Sequence, residues 1–239
     1  MSISTRTSEG MERFSFKTKG PSEERLKGLT LGYLLFTRVK NEKSNETIDS
    51  TMEAASNVLK KRFPTAESIL EDTVVSATRK LFSSVGRDPT KERPSGEALI
   101  RRVVKGKGIY RINTVVDINN VISLLTAFPC GVYDAAKIEG GTITILLGTP
   151  GLEYEGLGGR KVEAENRILT ADSKSVFGGP AADSARTQVT TETKEVLMLI
   201  YSPPGIEIPM LKATMEKASL LMQHASGAQE AYRGLHTIE

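Results

Sequence analysis

Cysteine occurs once, at Cys130, and histidine twice, at His224 and His236. One cysteine excludes an internal disulfide framework and suits a reducing compartment. Two histidines near one end, without cysteine partners, argue against a zinc site. No apolar run approaches the ~20 residues of a membrane span. The opening "MSISTRTSEGMERFSF" carries no apolar core of the secretory kind. These absences lead to the expectation of a cytoplasmic protein that engages no membrane. The common catalytic signatures are missing as well: there is no P-loop, GxGxxG, HExxH or GxSxG. No metal and no cofactor are expected. Cys130 has no histidine near it in sequence and reads as a small buried side chain rather than a nucleophile. His224 and His236 read as solvent-facing or capping groups.

What is present is an ordinary globular composition, 239 residues with 38% hydrophobic and 26% charged side chains. The net charge of +3 is unevenly placed. Between Arg87 and Arg111 eight basic residues face three acids, a local excess of +5 that leaves −2 for the rest. A basic patch on a neutral body permits a phosphate-bearing partner.

The first ~20 residues hold little apolar surface and read as a frayed N-terminus. "LTLGYLLFTRV" (29–39) reads as a buried strand. Two helices follow. In "STMEAASNVLKKRF", Met52, Ala55 and Leu59 share a face; in "ESILEDTVVSATRKLF", Leu70, Val74, Ala77 and Leu81 do. After the Pro/Gly-punctuated loop "VGRDPTKERPSG", Pro94 and Ser95 open a short basic helix, "GEALIRRVVKG". Its Arg101 and Arg102, with Lys105 and Lys107, are candidate RNA-phosphate contacts, against the plainer reading of a solvated face. "GGTITILLGT" (140–149) and "KEVLMLIYSPP" (194–204) read as strands, and 209–226 as a docking helix. Short strands joined by glycine turns are expected between 153 and 172. Strands and helices mix without regular βαβ alternation, which predicts an α+β fold with a β-rich core and packed helices.

The stretch "VVDINNVISLLTAFPCGVYDAAKIEGG" (115–141) asks for more. Ile118, Val121, Ile122 and Leu125 line one side of a helix, yet Asn119 and Asn120 lie within it. Asparagine weakens helices and prefers caps, so an adjacent pair needs partners. Either the amides bond neighbouring backbone or they point into a cleft. Three glycine pairs, at 140–141, 158–159 and 178–179, serve as turns, or let a ligand approach the backbone. The pair Gly178-Gly179 precedes the polar run "PAADSARTQVTTET".

Together, "RDPTKERPSGEALIRRVVKGKGIYRINTVVDINNVISLLTAFPCGVYDAAKIEGG", "ILTAD" and "FGGPAADSARTQVTTET" resemble the B3/B4 domain. That domain belongs to the β subunit of bacterial phenylalanyl-tRNA synthetase and also occurs as free-standing proteins. The resemblance covers roughly 87–203, as the core of a single domain over 21–239. It implies a layered β-β-α sandwich. It also implies a cleft in which a wrongly attached amino acid is hydrolysed from the 3′ ribose of tRNA. By matching, Asn119 and Asn120 fall on a Thr-Asn pair of that cleft, and Gly178-Gly179 on its glycine loop. Two positions depart from the pattern. Gly131 stands where the synthetase has a histidine, and Ala182 where it has a glutamate that helps read the tyrosine hydroxyl.

Two readings follow from the resemblance. In the first, the chain binds tRNA or aminoacyl-tRNA and deacylates it in trans. Asn120, Asp117 and Asp183 act on the carbonyl and the water, while Asn119, Gly131, Tyr133, Gly178, Gly179 and Ala182 line the pocket. In the second, a non-catalytic module holds a free amino acid or related small molecule, with Gly131 and Ala182 enlarging the pocket. No adenylate-forming domain fits in the remaining residues, so a complete ligase is set aside. The oligomeric state stays open.

Overall fold

The computed structural model describes residues 13–20 and 22–239. In chain order it contains β1 (Ser15–Thr18), α1 (Ser22–Arg25), β2 (Thr30–Thr37), α2 (Glu46–Arg62), α3 (Thr73–Ser84), α4 (Ser95–Val104) and α5 (Thr114–Thr126). Then come β3 (Cys130–Asp134), β4 (Thr142–Leu147), β5 (Glu153–Glu155), β6 (Lys161–Glu163), β7 (Ile168–Ala171), β8 (Val176–Gly178), β9 (Val196–Ser202), α6 (Ile208–Ser226) and β10 (Gln229–Thr237).

Two four-stranded sheets organise the described residues. The central one has the order β10-β2-β9-β3 and is antiparallel throughout. The outer one has the order β1-β4-β7-β8, with β1 parallel to β4 and the other pairs antiparallel. Side chains alternate across the central sheet. From β2, Leu34 and Phe36 enter a core shared with α2, α4, α5 and α6, as do Val196, Met198 and Ile200 of β9. Their neighbours Leu31, Tyr33, Leu35, Leu197, Leu199 and Tyr201 face the outer sheet, meeting Ile143, Ile145 and Phe177. Helices, central sheet and outer sheet are thus three layers, an α+β sandwich of the β-β-α kind. Cover on both faces explains why β2 and β9 read as unbroken apolar runs.

Three places depart from the pattern read in the sequence. The helix expected from 67 breaks at Asp72, whose carboxylate accepts the Val75 N–H at 3.0 Å and caps α3. Ser68–Glu71 becomes a 3-10 turn, and Leu70, expected on the apolar stripe, is 41% exposed. Of the N-terminus expected to fray, residues 1–12 lie outside the described residues. Phe14 beyond them is buried, and Ser15–Thr18 pairs with β4. At the other end, the presumed tail is β10, paired with β2 along its length. His236 is half-buried there, its ring 6.0 Å from that of Phe16, and burial lowers its pKa. No helix of the described residues is long and apolar enough to cross a membrane.

Candidate functional site

β3 is an edge strand of the central sheet and β8 an edge strand of the outer one. The candidate site forms where these two edges approach each other. α5 delivers the chain to β3. Asn113 caps that helix by accepting the Val116 N–H at 3.0 Å, and Ala127 ends it in a left-handed conformation (φ 64°). Pro129 then starts the strand, its carbonyl accepting the Tyr201 N–H of β9 at 2.9 Å. Successive strand carbonyls point to opposite sides, so the Cys130 carbonyl faces away from β9, toward the free edge. There the Asn119 side-chain amide donates to it at 3.4 Å.

That contact gives Asn119 a role. It covers the open edge of β3, is only 9% exposed, and its Oδ1 has no hydrogen-bond partner. Asn120 is half-buried on the same line of α5 as Val116. Five concavities stand out among the described residues, and neither asparagine lines any of them.

On the opposite face of β3, Gly131 and Tyr133 point between the sheets. Tyr133 is buried, with its ring edge-on to Phe177 at 4.9 Å. A Cβ added to Gly131 would stand 2.2 Å from the Tyr133 hydroxyl oxygen, and one added to Gly178 would stand 2.3 Å from it. Both glycines therefore make room for the phenol. The departure at position 131 does not enlarge a pocket, as the sequence reading expects, because Tyr133 fills the space.

The phenol heads a chain of hydroxyls. Tyr133 donates its one proton to Asp183 Oδ1 at 2.8 Å. Tyr201 lies 3.3 Å from Tyr133 and donates to it, and Thr170 lies 3.3 Å from Tyr201 and donates in turn. Burial, opposed by hydrogen bonds from Tyr133 and the Gly179 N–H, pushes the Asp183 carboxyl up to about 6. Burial and the neighbouring Asp183 charge hold Tyr133 well above the ordinary phenol value. Tyr154, whose hydroxyl donates to the Ala182 carbonyl at 3.0 Å, is pushed up to about 12, by burial first and then by Asp183. The segment 179–187 closes over this chain, tied down by the Ser184 N–H to Phe177 and by the Leu157 N–H to Asp183. Beside Ala181 and Ala182 a crevice of about 10 Å³, room for one water, runs between Tyr154 and Leu169, with Arg87 and Arg167 at its rim.

The structure therefore gathers Gly131, Tyr133, Gly178, Gly179, Ala182 and Asp183, and sets them across β3 from Asn119. Asp117 belongs elsewhere. It accepts the Ile112 N–H at 3.0 Å, faces Arg111 at 3.6 Å and so ties the preceding loop to the first turn of α5. Burial raises its pKa. Of the four basic candidates, Arg101 is engaged within the fold: its Nε donates at 2.6 Å to Glu97, a carboxylate only 1% exposed that Arg79 also grips at 3.1 Å. Arg102 lies over the Tyr110 ring, and Lys105 and Lys107 are exposed. Sequence reading missed Tyr201, Thr170 and Tyr154. The available signal was a tyrosine inside the aliphatic run "VLMLIYS", since a buried hydroxyl must find a partner. Among the described residues, no group of three or more metal-ligating side chains assembles.

Comparison with known proteins follows the same lines. The model of the B3/4 domain family matches residues 77–218. A phenylalanine–tRNA ligase β subunit from Lactobacillus acidophilus is 30% identical over 160 residues, 65% of this chain and 20% of that one. The chain thus spans about a fifth of that subunit's length. The uncharacterized Bacillus subtilis protein YhzB is 24% identical over 170 residues, 71% of this chain and 72% of its own. Among solved structures, an N-terminal fragment of the phenylalanyl-tRNA synthetase β subunit from Pyrococcus horikoshii superposes with a TM-score of 0.50. It does so at 11% identity, over 96% of this chain and 54% of that fragment, a likeness of fold. With more than half of its length matched by the family model, the chain belongs to the B3/4 domain family.

Proposed function

We propose that this B3/4 domain binds tRNA and hydrolyses, in trans, the ester of a wrongly attached aminoacyl group. The observation that carries the reading is Asp183, a half-buried carboxyl titrating near 6 and held by a tyrosine hydroxyl and the Gly179 N–H. A base with a pKa just below neutral is mostly ionised at pH 7 yet still accepts a proton in the transition state. An aminoacyl ester is already activated, so orienting the water supplies much of what hydrolysis requires. Asp183 draws the proton from that water, Asn120 donates to the carbonyl, and Arg102, Lys105 and Lys107 contact phosphates. With Tyr133 filling the slot between Gly131 and Gly178, the acyl group lies over Ala181 and Ala182, which favours a small side chain.

The experiment is incubation with a panel of correctly and incorrectly charged tRNAs, following released amino acid. Asp183→Asn is expected to remove release, Asn120→Ala to reduce it by about 10²-fold, and kcat/KM to fall below about pH 6 as Asp183 takes up a proton. Undiminished release by Asp183→Asn refutes the assignment. The uncharged Ala182 beside the crevice between Tyr154 and Leu169 favours a second reading, a non-catalytic module for a free amino acid or related small molecule. Thermal stabilisation by a free amino acid, without any salt-sensitive tRNA binding, selects it.

A further inference from the structure

The connection between α4 and α5, "KGKGIYRIN", is notable for what it leaves uncovered. Gly106 (φ 72°) and Gly108 (φ 63°) turn it away from the body, and a Cβ added at either meets nothing within 4 Å. Tyr110 is 62% exposed, more than any other large apolar side chain among the described residues, and Ile112 beside it is also exposed. The Arg102 guanidinium carbon sits 3.8 Å from the Tyr110 ring centroid, while an Arg102 Nη2 hydrogen bond to the Lys107 carbonyl at 3.3 Å steadies the pair. One ring face is thus backed by a cation and the other meets solvent.

The charges around the ring are unevenly satisfied. Of the basic residues nearby in sequence, Arg87 pairs with Glu92, Arg101 with Glu97 and Arg111 with Asp49. Lys105 and Lys107 form no ion pair among the described residues, and Glu67 is the acid whose titration feels Lys105. Lys91 and Arg93 also lack ion pairs among the described residues, but Lys105 and Lys107 share the 105–113 connection with Tyr110, the most exposed aromatic ring among the described residues. An open π-face, a guanidinium behind it and two free ammonium groups suit an unpaired base joined to phosphates. A tyrosine lying under an arginine is poorly shaped as an apolar membrane wedge.

Resting on the RNA-binding reading above, we propose that Tyr110 is a stacking platform for an unpaired nucleobase, with Arg102 bracing the ring and Lys105 and Lys107 on the flanking phosphates. The platform precedes the start of α5, which rises about 9 Å from Thr114 to Asn120. A strand end stacked there, such as the unpaired 3′ end of a tRNA, lies about two helical turns from Asn120.

The chain contains no tryptophan, so Tyr110→Trp installs a lone fluorophore at an exposed position. It is titrated in the full chain with a single-stranded RNA 12-mer, an abasic 12-mer of the same charge, an RNA hairpin stem and anionic phospholipid vesicles. Single-stranded RNA is expected to quench the emission and the abasic strand to bind without quenching. Tyr110→Ala should lose about 5- to 100-fold in affinity for single-stranded RNA, Tyr110→Phe should retain most of it, and all three variants should melt like the parent. Joint Lys105→Gln and Lys107→Gln substitution should flatten the salt dependence by about 1.4 in log–log slope. If tRNA binds but Tyr110→Ala binds it unchanged, or if the abasic strand binds equally well, stacking is wrong and the RNA reading stands. If vesicles quench and RNA does not, the loop docks on lipid and the stacking proposal fails. If no RNA binds under any condition, both proposals fall.

Discussion

Replacing Asp183 by Asn separates the electrostatics of the site from its shape. Asn keeps an oxygen to accept the Tyr133 hydroxyl but cannot titrate. In the wild type the carboxyl moves from its usual 3.8 to about 6 on folding, burial being the main cause. Over that interval the folded chain holds a proton that the unfolded chain has released, so stability falls as pH rises through the window. Above it the full cost, about 3 kcal/mol, is present. Between pH 7.5 and 4.5 the same linkage returns about 2 kcal/mol to the wild type and nothing to the variant. Urea unfolding of both proteins at the two pH values measures this directly. The stability of Asp183→Asn relative to wild type should drop by about 2 kcal/mol on acidification. Tyr133→Phe, which removes a hydrogen bond that lowers the Asp183 pKa, should move the titration upward. An Asp183→Asn effect of equal size at both pH values would refute the burial argument and, with it, the choice of Asp183 as base.

Three further outcomes follow from the packing. Gly178→Ala sets a Cβ about where the phenol stands and should cost about 3 kcal/mol. In a Tyr133→Leu background that penalty should largely vanish, a non-additivity read by a double-mutant denaturation cycle. Glu97→Gln strips Arg79 and Arg101 of their shared carboxylate and should cost about 3 kcal/mol, whereas Arg101→Ala, which leaves Arg79 in place, should cost less in the same urea assay. Burial pushes the Cys130 thiol up to about 12, so Ellman's reagent should label it only at the rate of unfolding; rapid labelling of the native protein would show an open path to β3.

Much of the layering was legible. β2 and β9 carry apolar runs that only strands with covered faces use, β4 alternates toward one buried face, and α2, α5 and α6 show helical stripes. What escaped was set by tertiary contact. β10, "QEAYRGLHT", mixes charge with apolar side chains because it is an edge strand, and its pairing with β2 is invisible locally. The Asp72 break was readable as a capping residue, but the helical spacing of Leu70, Val74 and Leu81 ran across it. At the site, the family pattern pointed to Gly131, Gly178 and Asp183, which do meet. The agent that joins them, the Tyr133 phenol, depends on a distance between two sheets that no spacing along the chain encodes. Asn119 and Asn120 posed one question in sequence and received two answers, since one amide guards a strand edge and its neighbour stays half-open.

The order β10-β2-β9-β3 has a consequence for biosynthesis. β2 ends at Thr37, while both of its neighbours are made after residue 195. While the intervening residues are made, the nascent chain therefore carries "TLGYLLFT" with neither edge hydrogen-bonded, a segment prone to pair with other copies. Closure of the sheet awaits synthesis of Gln229–Thr237, and chains halted short of β10 should be substrates for holding chaperones or proteases rather than partly working molecules.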